Sequence, residues 1–172
     1  RFGIDVRVKT EVLKINPKEK TVLAKNLLTG EKYEESYDKL LLSPGAEAFI
    51  PPIPGVHSKN IYSLRNMSDM DKIKSKVDKK VKRAVVIGAG FIGLEIAENL
   101  VERDIEVTII EKSNQVLAPV DFEIASEVHQ HIKEFKTELF LNDGAKEFIE
   151  IGDKTKVKLE SGIEIIADII IM

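Results

Sequence analysis

The chain has 172 residues, 43% hydrophobic and 32% charged, with a formal net charge of -3, enough for one solid core or two small ones. Lysine and arginine alternate with aspartate and glutamate without forming a one-sign block, which makes nucleic acid and acidic membrane surfaces poor candidate partners. Zero cysteine removes disulfides, thiolate nucleophiles and cysteine metal sites from these residues; with no signal peptide and no long apolar run, a cytoplasmic protein is expected.

Residues 4–15, IDVRVKTEVLKI, alternate in part and run into the turn NPKEK; TVLAKNLL, TGEK and KYEESYDKLLLSPG follow. This order predicts a meander of antiparallel strands that ends in a buried one at Leu40, Leu41 and Leu42. In AFIPPIPGV, residues 48–56, four of nine residues are Pro or Gly, so neither a helix nor a central strand can continue there. A first unit is therefore expected over 1–55 and a second over 56–172. Met70, Ile73 and Val77 recur at helical spacing and predict an amphipathic helix whose lysines form a solvated face. KRAVVIGAG then reads as a short buried strand and turn, followed by a helix with Ile96, Ala97, Leu100 and Val101 on one face, and by the strand IEVTIIEK. A second helix is expected with Asp121 as N-cap and Ala125, Val128, Ile132 and Phe135 as its buried stripe. ELFLN, a hairpin over 145–162 and a final strand IEIIADIII complete the chain.

The last stretch echoes the first. Both run strand, charged turn, strand, Gly-Glu turn, strand, then an aspartate and a group of aliphatics: Asp38 with Leu40 to Leu42, and Asp168 with Ile169 to Ile171. Two copies of one nucleotide-binding unit explain this order, the tail of the first preceding most of the second. The chain opens on Arg1 without an initiator Met and stops just after its last aliphatic run, so a piece of a longer protein is expected.

The turn between the first parallel strand and its helix carries the chemistry. Gly88 permits a tight turn, Gly90 lets backbone N–H groups approach a pyrophosphate, and Gly93 lets helix and strand pack closely. The anion would sit on the helix N-terminus, where unpaired N–H groups and the helix dipole favour negative charge. Glu111 ends the next strand, about twenty residues on, where an acid accepts hydrogen bonds from ribose hydroxyls. A 2'-phosphate there would meet like charge, which favours NADH over NADPH; Lys112 stands beside it and could swing to a phosphate. Two roles stay open for Glu95: a carboxylate favourable to the helix N-terminus, or a group at the nicotinamide. His129 and His131, two apart on a helix, point to different faces and read as surface residues. His57 has no neighbour in sequence to act as its partner.

KRAVVIGAGFIGLEIAENLVERDIEVTIIEKSNQVLAPVDFEIA, together with YDKLLLSPGAEAFIPPIPG in that order and spacing, resembles the FAD-dependent pyridine nucleotide-disulfide oxidoreductases, in the branch of coenzyme A-disulfide reductases and NADH oxidases or peroxidases. The resemblance covers essentially the whole chain. It implies an α/β fold: a Rossmann-like NAD-binding domain of parallel sheet, helices and β-meander, preceded by the β-meander tail of an FAD-binding domain. It implies that Ile87, Gly88, Ala89, Gly90, Phe91, Ile92, Gly93, Leu94 and Glu95, with Glu111 and Lys112, bind NAD(P)H, Ile92 and Glu95 facing the nicotinamide-flavin junction. Ser43, Pro44 and Gly45 would line the flavin nucleotide, and Val12, with Glu11 beside it, would contact its adenine end. The family's redox cysteine and first flavin glycine motif match nothing here, so these residues are expected to bind NADH weakly and turn nothing over by themselves. The complete protein would be a homodimer passing a hydride through FAD to a cysteine-linked disulfide, peroxide or oxygen. Two other classes stay open: a flavoprotein reductase of a small electron-transfer protein such as ferredoxin or rubredoxin, and a nucleotide-sensing module without catalysis.

Overall fold

The computed structural model describes residues 3–135 and 137–172. The chain forms two compact units, Arg1–Ala46 and Glu47–Met172.

In the first unit, β1 (Thr10–Asn16), β2 (Thr21–Asn26) and β3 (Lys32–Ser36) make an antiparallel meander in sheet order β1-β2-β3. The turn after β1 closes through Lys20 at φ +50°, and the next turn is held by the Asn26 side chain, whose oxygen accepts the Leu28 and Thr29 N–H groups. A bulge interrupts β1 between Val12 and Lys14. The expected buried strand at 40–42 does not form: Leu41 is 88% exposed and Leu42 62%. Among the described residues of this unit no strand pairs with that backbone and no layer covers its side chains, so nothing there offers an apolar run a sheet to join. Ala24 is the one buried residue among the described residues of this unit.

The second unit has three layers. Its middle is a parallel sheet in the order β4-β11-β5-β6-β7, made of β4 (Ile61–Tyr62), β5 (Arg83–Ile87), β6 (Glu106–Ile110), β7 (Glu138–Phe140) and β11 (Ile169–Ile171). Helices α1 (Met67–Val77), α2 (Phe91–Val101) and α3 (Phe122–Glu134) supply one outer layer, and the antiparallel meander β8 (Ala145–Ile151), β9 (Lys154–Leu159), β10 (Glu164–Ala167) the other. Strand alternation divides the core between the two sides. Ala84, Val86, Ile109, Ile169 and Ile171 pack with Ile73, Ala97, Leu100 and Ile132 of the helices; Val85, Ile110 and Ile170 pack with Phe148, Val157 and Leu159 of the meander. This is why these strands read as unbroken apolar runs: both faces are covered.

Local chemistry sets the element ends. Asn66 caps α1 by accepting the Asp69 N–H at 3.1 Å. Asp121 takes the N-cap position of α3 as expected, though its side chain makes no capping bond. Phe135 departs from the predicted stripe: it follows the last helical residue, is half exposed, and sets its ring edge on His131 with centroids 4.7 Å apart. Once the helix stops, the 3.6-residue period no longer carries a side chain inward. The proline stretch belongs to the second unit by its contacts. Pro54 accepts the Phe148 N–H at 2.9 Å, and Gly55, at φ +79°, has no room for a Cβ, which would drive into the Phe148 carbonyl.

The two-residue strand β4 has no periodicity to betray it, and buried polar groups fix it. Asn60, 1% exposed, donates to the Asp153 carbonyl and to Thr155 Oγ1 and accepts from Lys76 Nζ at 2.8 Å; Ser58 and Thr155 share a hydrogen bond of 2.9 Å. Asp168 fills the single position between β10 and β11 and lets the chain step from one sheet to the other. Its Oδ2 accepts the Lys82 and Arg83 N–H groups at 2.9 and 3.0 Å, and its Oδ1 lies 3.2 Å from Lys154 Nζ.

Candidate functional site

The glycine turn sits where β5 leaves the sheet. Gly88, at φ +99°, donates its N–H to the Ile110 carbonyl at 2.8 Å and so ties the turn to the neighbouring strand. Ala89 is buried; its carbonyl accepts the Leu117 N–H at 2.8 Å and its own N–H donates to Glu111 Oε2 at 2.8 Å. Gly90 is the N-cap of α2, exposed and with no side chain to cap it, and a Cβ placed there would meet nothing within 4 Å. The space in front of it is therefore open to a ligand. The first intrahelical bond runs from the Leu94 N–H to the Gly90 carbonyl at 3.0 Å, which leaves the N–H groups of Phe91, Ile92 and Gly93 without a partner inside the helix. A Cβ on Gly93 would strike the Gly88 carbonyl, so this glycine is what lets the helix start so close to the strand. Together these features fit a pyrophosphate.

Glu111 leaves the end of β6, its N–H donating to the Phe140 carbonyl at 2.8 Å. Its Oε2 takes the Ala89 N–H and its Oε1 the Ser113 N–H at 2.7 Å. Partial burial pushes the carboxyl up, but the N–H groups of Ala89 and Ser113 outweigh it and hold the group below the usual carboxylate range. The result is an ionised carboxylate fixed at the rim of the turn. Lys112, largely exposed, points to Glu160, with Nζ 3.1 Å from Oε1. The structure thus brings the glycine turn, the start of α2 and Glu111 to one end of the sheet, while Leu94 faces the core and the Lys112 side chain is directed to Glu160.

Glu95 stands on the second turn of α2 and is exposed; no acidic residue occupies the first turn. With Ile92 it borders an apolar cavity of about 420 Å³ between α1 and α2, lined also by Leu64, Met70, Ile73 and Phe91. Phe91 and Ile92 are 62% and 63% exposed, a large apolar surface at a helix start. Leu94 turns the other way, packing against the core under the helices.

The residues matched to flavin lie in the first unit. Val12 borders the bulge of β1 and is exposed, as is Glu11; Ser43, Pro44 and Gly45 are exposed and outside any strand, Gly45 at φ +73°. Among the described residues, that positive φ and the bulge are the shaped features these positions offer.

The two histidines do point apart. His129 Nε2 accepts the Val116 N–H at 3.1 Å, and burial, helped by Lys133, lowers its pKa; His131 is exposed beside Phe135 and Glu134. Among the described residues, no group of three or more His, Cys, Asp or Glu is placed to hold a metal, and no helix is long and apolar enough to cross a membrane. Asp143, which nothing in the sequence singles out, is buried at 7% exposure and accepts the Gly144 and Ser161 N–H groups at 2.9 and 3.2 Å. Its only sequence signal is the pair Asp-Gly, a turn mark that says nothing of the second loop it fastens.

Comparison with known proteins agrees with this geometry. A coenzyme A disulfide reductase of Staphylococcus haemolyticus is 41% identical over 170 residues, 97% of this chain and 37% of that protein. An NADH oxidase of Enterococcus faecalis is 36% identical over 174 residues, 99% of this chain and 39% of that protein. The chain thus spans well under half the length of these relatives. The crystal structure of reduced Bacillus anthracis CoADR-RHD superposes with a TM-score of 0.89 at 49% identity, covering 99% of this chain and 30% of that one. The family uses FAD and NAD(P)H, and the family model that describes it matches residues 1–172. With the glycine turn, its fixed acid and the parallel sheet beneath them in place, the chain belongs to the pyridine nucleotide-disulphide oxidoreductases.

Proposed function

We propose that residues 87–112 bind NADH as the electron donor of a flavoprotein disulfide reductase. The observation that carries this reading is the position of Glu111. Each oxygen of its carboxylate already holds one backbone N–H, and an ionised carboxylate has about four acceptor directions, so two remain for the ribose hydroxyls. A 2'-phosphate in the same place meets a charge that the turn itself keeps ionised. The pyrophosphate lies on the start of α2, within reach of the free N–H groups of Phe91, Ile92 and Gly93, where Gly90 leaves room for it. Ile92 and Glu95, exposed on the first two turns of α2, face the nicotinamide end.

Ser43, Pro44 and Gly45, with Val12 and Glu11, contact the flavin nucleotide in the complete protein. When bound, that group would supply the redox chemistry between the nicotinamide and the acceptor. The share of this chain's residues is to hold the donor in place. A disulfide is the favoured acceptor, since the Staphylococcus haemolyticus relative is named a coenzyme A disulfide reductase; oxygen, suggested by the name NADH oxidase, is the other. The 172 residues supply no thiol, so by themselves they bind NADH and pass no electrons to a disulfide. The complete protein works as a homodimer.

Binding titrations of two Glu111 variants test the site. Glu111→Ala removes the acceptor and weakens NADH about tenfold to a hundredfold, the worth of hydrogen bonds to a charged group, while NADPH suffers less. Because Glu111 also braces the turn, Glu111→Gln serves beside it: it keeps one acceptor oxygen, loses the charge, and narrows the gap between the two nucleotides. Equal losses for NADH and NADPH in both variants refute the ribose assignment.

A further inference from the structure

We infer that Glu160 is a specificity residue for NADH: by pairing with Lys112 it withholds the cation next to the ribose acid from a 2'-phosphate. This rests on the reading of residues 87–112 as the dinucleotide site. Lys112 follows Glu111 directly, so its side chain starts within one residue of where a 2'-phosphate would lie. Left to itself, a lysine there answers phosphate charge and offsets the repulsion of Glu111. In the structure it is turned away, with Nζ 3.1 Å from Glu160 Oε1.

Glu160 is not a loose surface residue that happens to be near. It follows the last residue of β9, and its N–H donates to the Gly144 carbonyl at 2.8 Å. Asp143 locks the same spot: its carboxylate holds the N–H groups of Gly144 and Ser161, and its own N–H donates to the Glu111 carbonyl at 3.2 Å. The loop after β9 is therefore fastened to the strand end that carries the ribose acid. Gly144 leaves the Glu160 carboxylate its place, since a Cβ there would come within 3.1 Å of Oε1. The antiparallel meander, which otherwise only covers the sheet, thus puts one carboxylate at the nucleotide site.

Two effects act in the same direction. Glu160 neutralises Lys112, and it adds a second negative group near a phosphate that would bring a charge of about -2. The size is limited, because both side chains are half exposed or more and such pairs are worth little in water.

The test is the ratio of NADPH to NADH affinity, measured by calorimetric titration of the intact protein and its variants at low salt. Glu160→Gln raises the ratio about threefold to fivefold, and Glu160→Lys, which adds a cation, raises it further. The gain shrinks at high salt, as expected for exposed charges. It disappears when Lys112→Met is added to Glu160→Gln. A ratio unmoved by both Glu160 variants overturns the inference, and so does a gain that survives the loss of Lys112. An unaltered protein that binds neither nucleotide overturns instead the dinucleotide reading on which it rests.

Discussion

The two antiparallel meanders of this chain are built alike and buried very differently. Each has three strands joined by short turns, with strand lengths of 7, 6 and 5 residues in one and 7, 6 and 4 in the other. Each carries a bulge in its first strand, after Val12 and after Ala145. Yet among the described residues of the first unit Ala24 alone is buried, whereas Phe148, Val157, Leu159 and Ala167 of the second meander are all under 5% exposed. The aliphatic runs that follow diverge further. Ile169 to Ile171 form a central strand between β4 and β5; Leu40 to Leu42 pair with no strand among the described residues and are exposed. Backbone pattern and turn chemistry are enough to make a meander, but a core needs a second layer from elsewhere in the chain.

The comparison can be broken most directly at its aliphatic runs. Ile170→Ala, at a fully buried position, costs about 3–5 kcal/mol of the stability of the second unit in urea unfolding, whereas Leu41→Ala costs less than about 0.5 kcal/mol. Similar losses at the two sites would mean that the two runs share one environment after all.

A smaller difference is expected between threonines. Thr155→Val strips the buried partner from Ser58 and Asn60 and costs about 1–3 kcal/mol, read as a lower midpoint of thermal unfolding. Thr21→Val in the first meander removes a part-exposed bond to Asn16 and moves the midpoint little.

The aspartates sharpen the comparison at its smallest scale. Burial pushes the Asp168 carboxyl up, but the N–H groups of Lys82 and Arg83, with Lys154, hold it below the ordinary range. A carboxyl depressed in the folded state contributes its stability above its unfolded pKa of about 3.9 and loses it as pH falls from there through the folded value. Asp168→Asn therefore costs about 1 kcal/mol at neutral pH, after allowance for solvent screening, and the cost vanishes in acid. Asp38→Asn, at an exposed position, changes stability by less than about 0.5 kcal/mol. A loss for Asp168→Asn that persists at acid pH would point to its geometry rather than its charge.

What could be read from the residues alone was what local rules govern. The glycine turn from 88 to 93, the stripes of α1 and α2 and the strands at 83–87 and 106–110 follow from periodicity and from where a Cβ cannot fit. Glu111 was legible by its distance from the glycines. Leu40 to Leu42 misled because an apolar run looks the same whether or not strands flank it. Ile61 and Tyr62 form a strand only because Asn60 and Ser58 are anchored by Thr155, more than ninety residues along the chain. Asp143 and Glu160 were illegible for the same reason: each acquires its meaning from a partner on another loop, and no pattern along one segment records that.

The bond from the Ala89 N–H to Glu111 bears on how the turn meets its nucleotide over time. That amide already has a partner within the chain, so its exchange with solvent deuterium is slow from the start and NADH changes it little. The amides of Phe91, Ile92 and Gly93 precede the first intrahelical bond and exchange freely until an anion covers them. The turn is thus a socket with a set base and an open mouth, in which binding slows exchange at the helix start and leaves the glycine bend as it was.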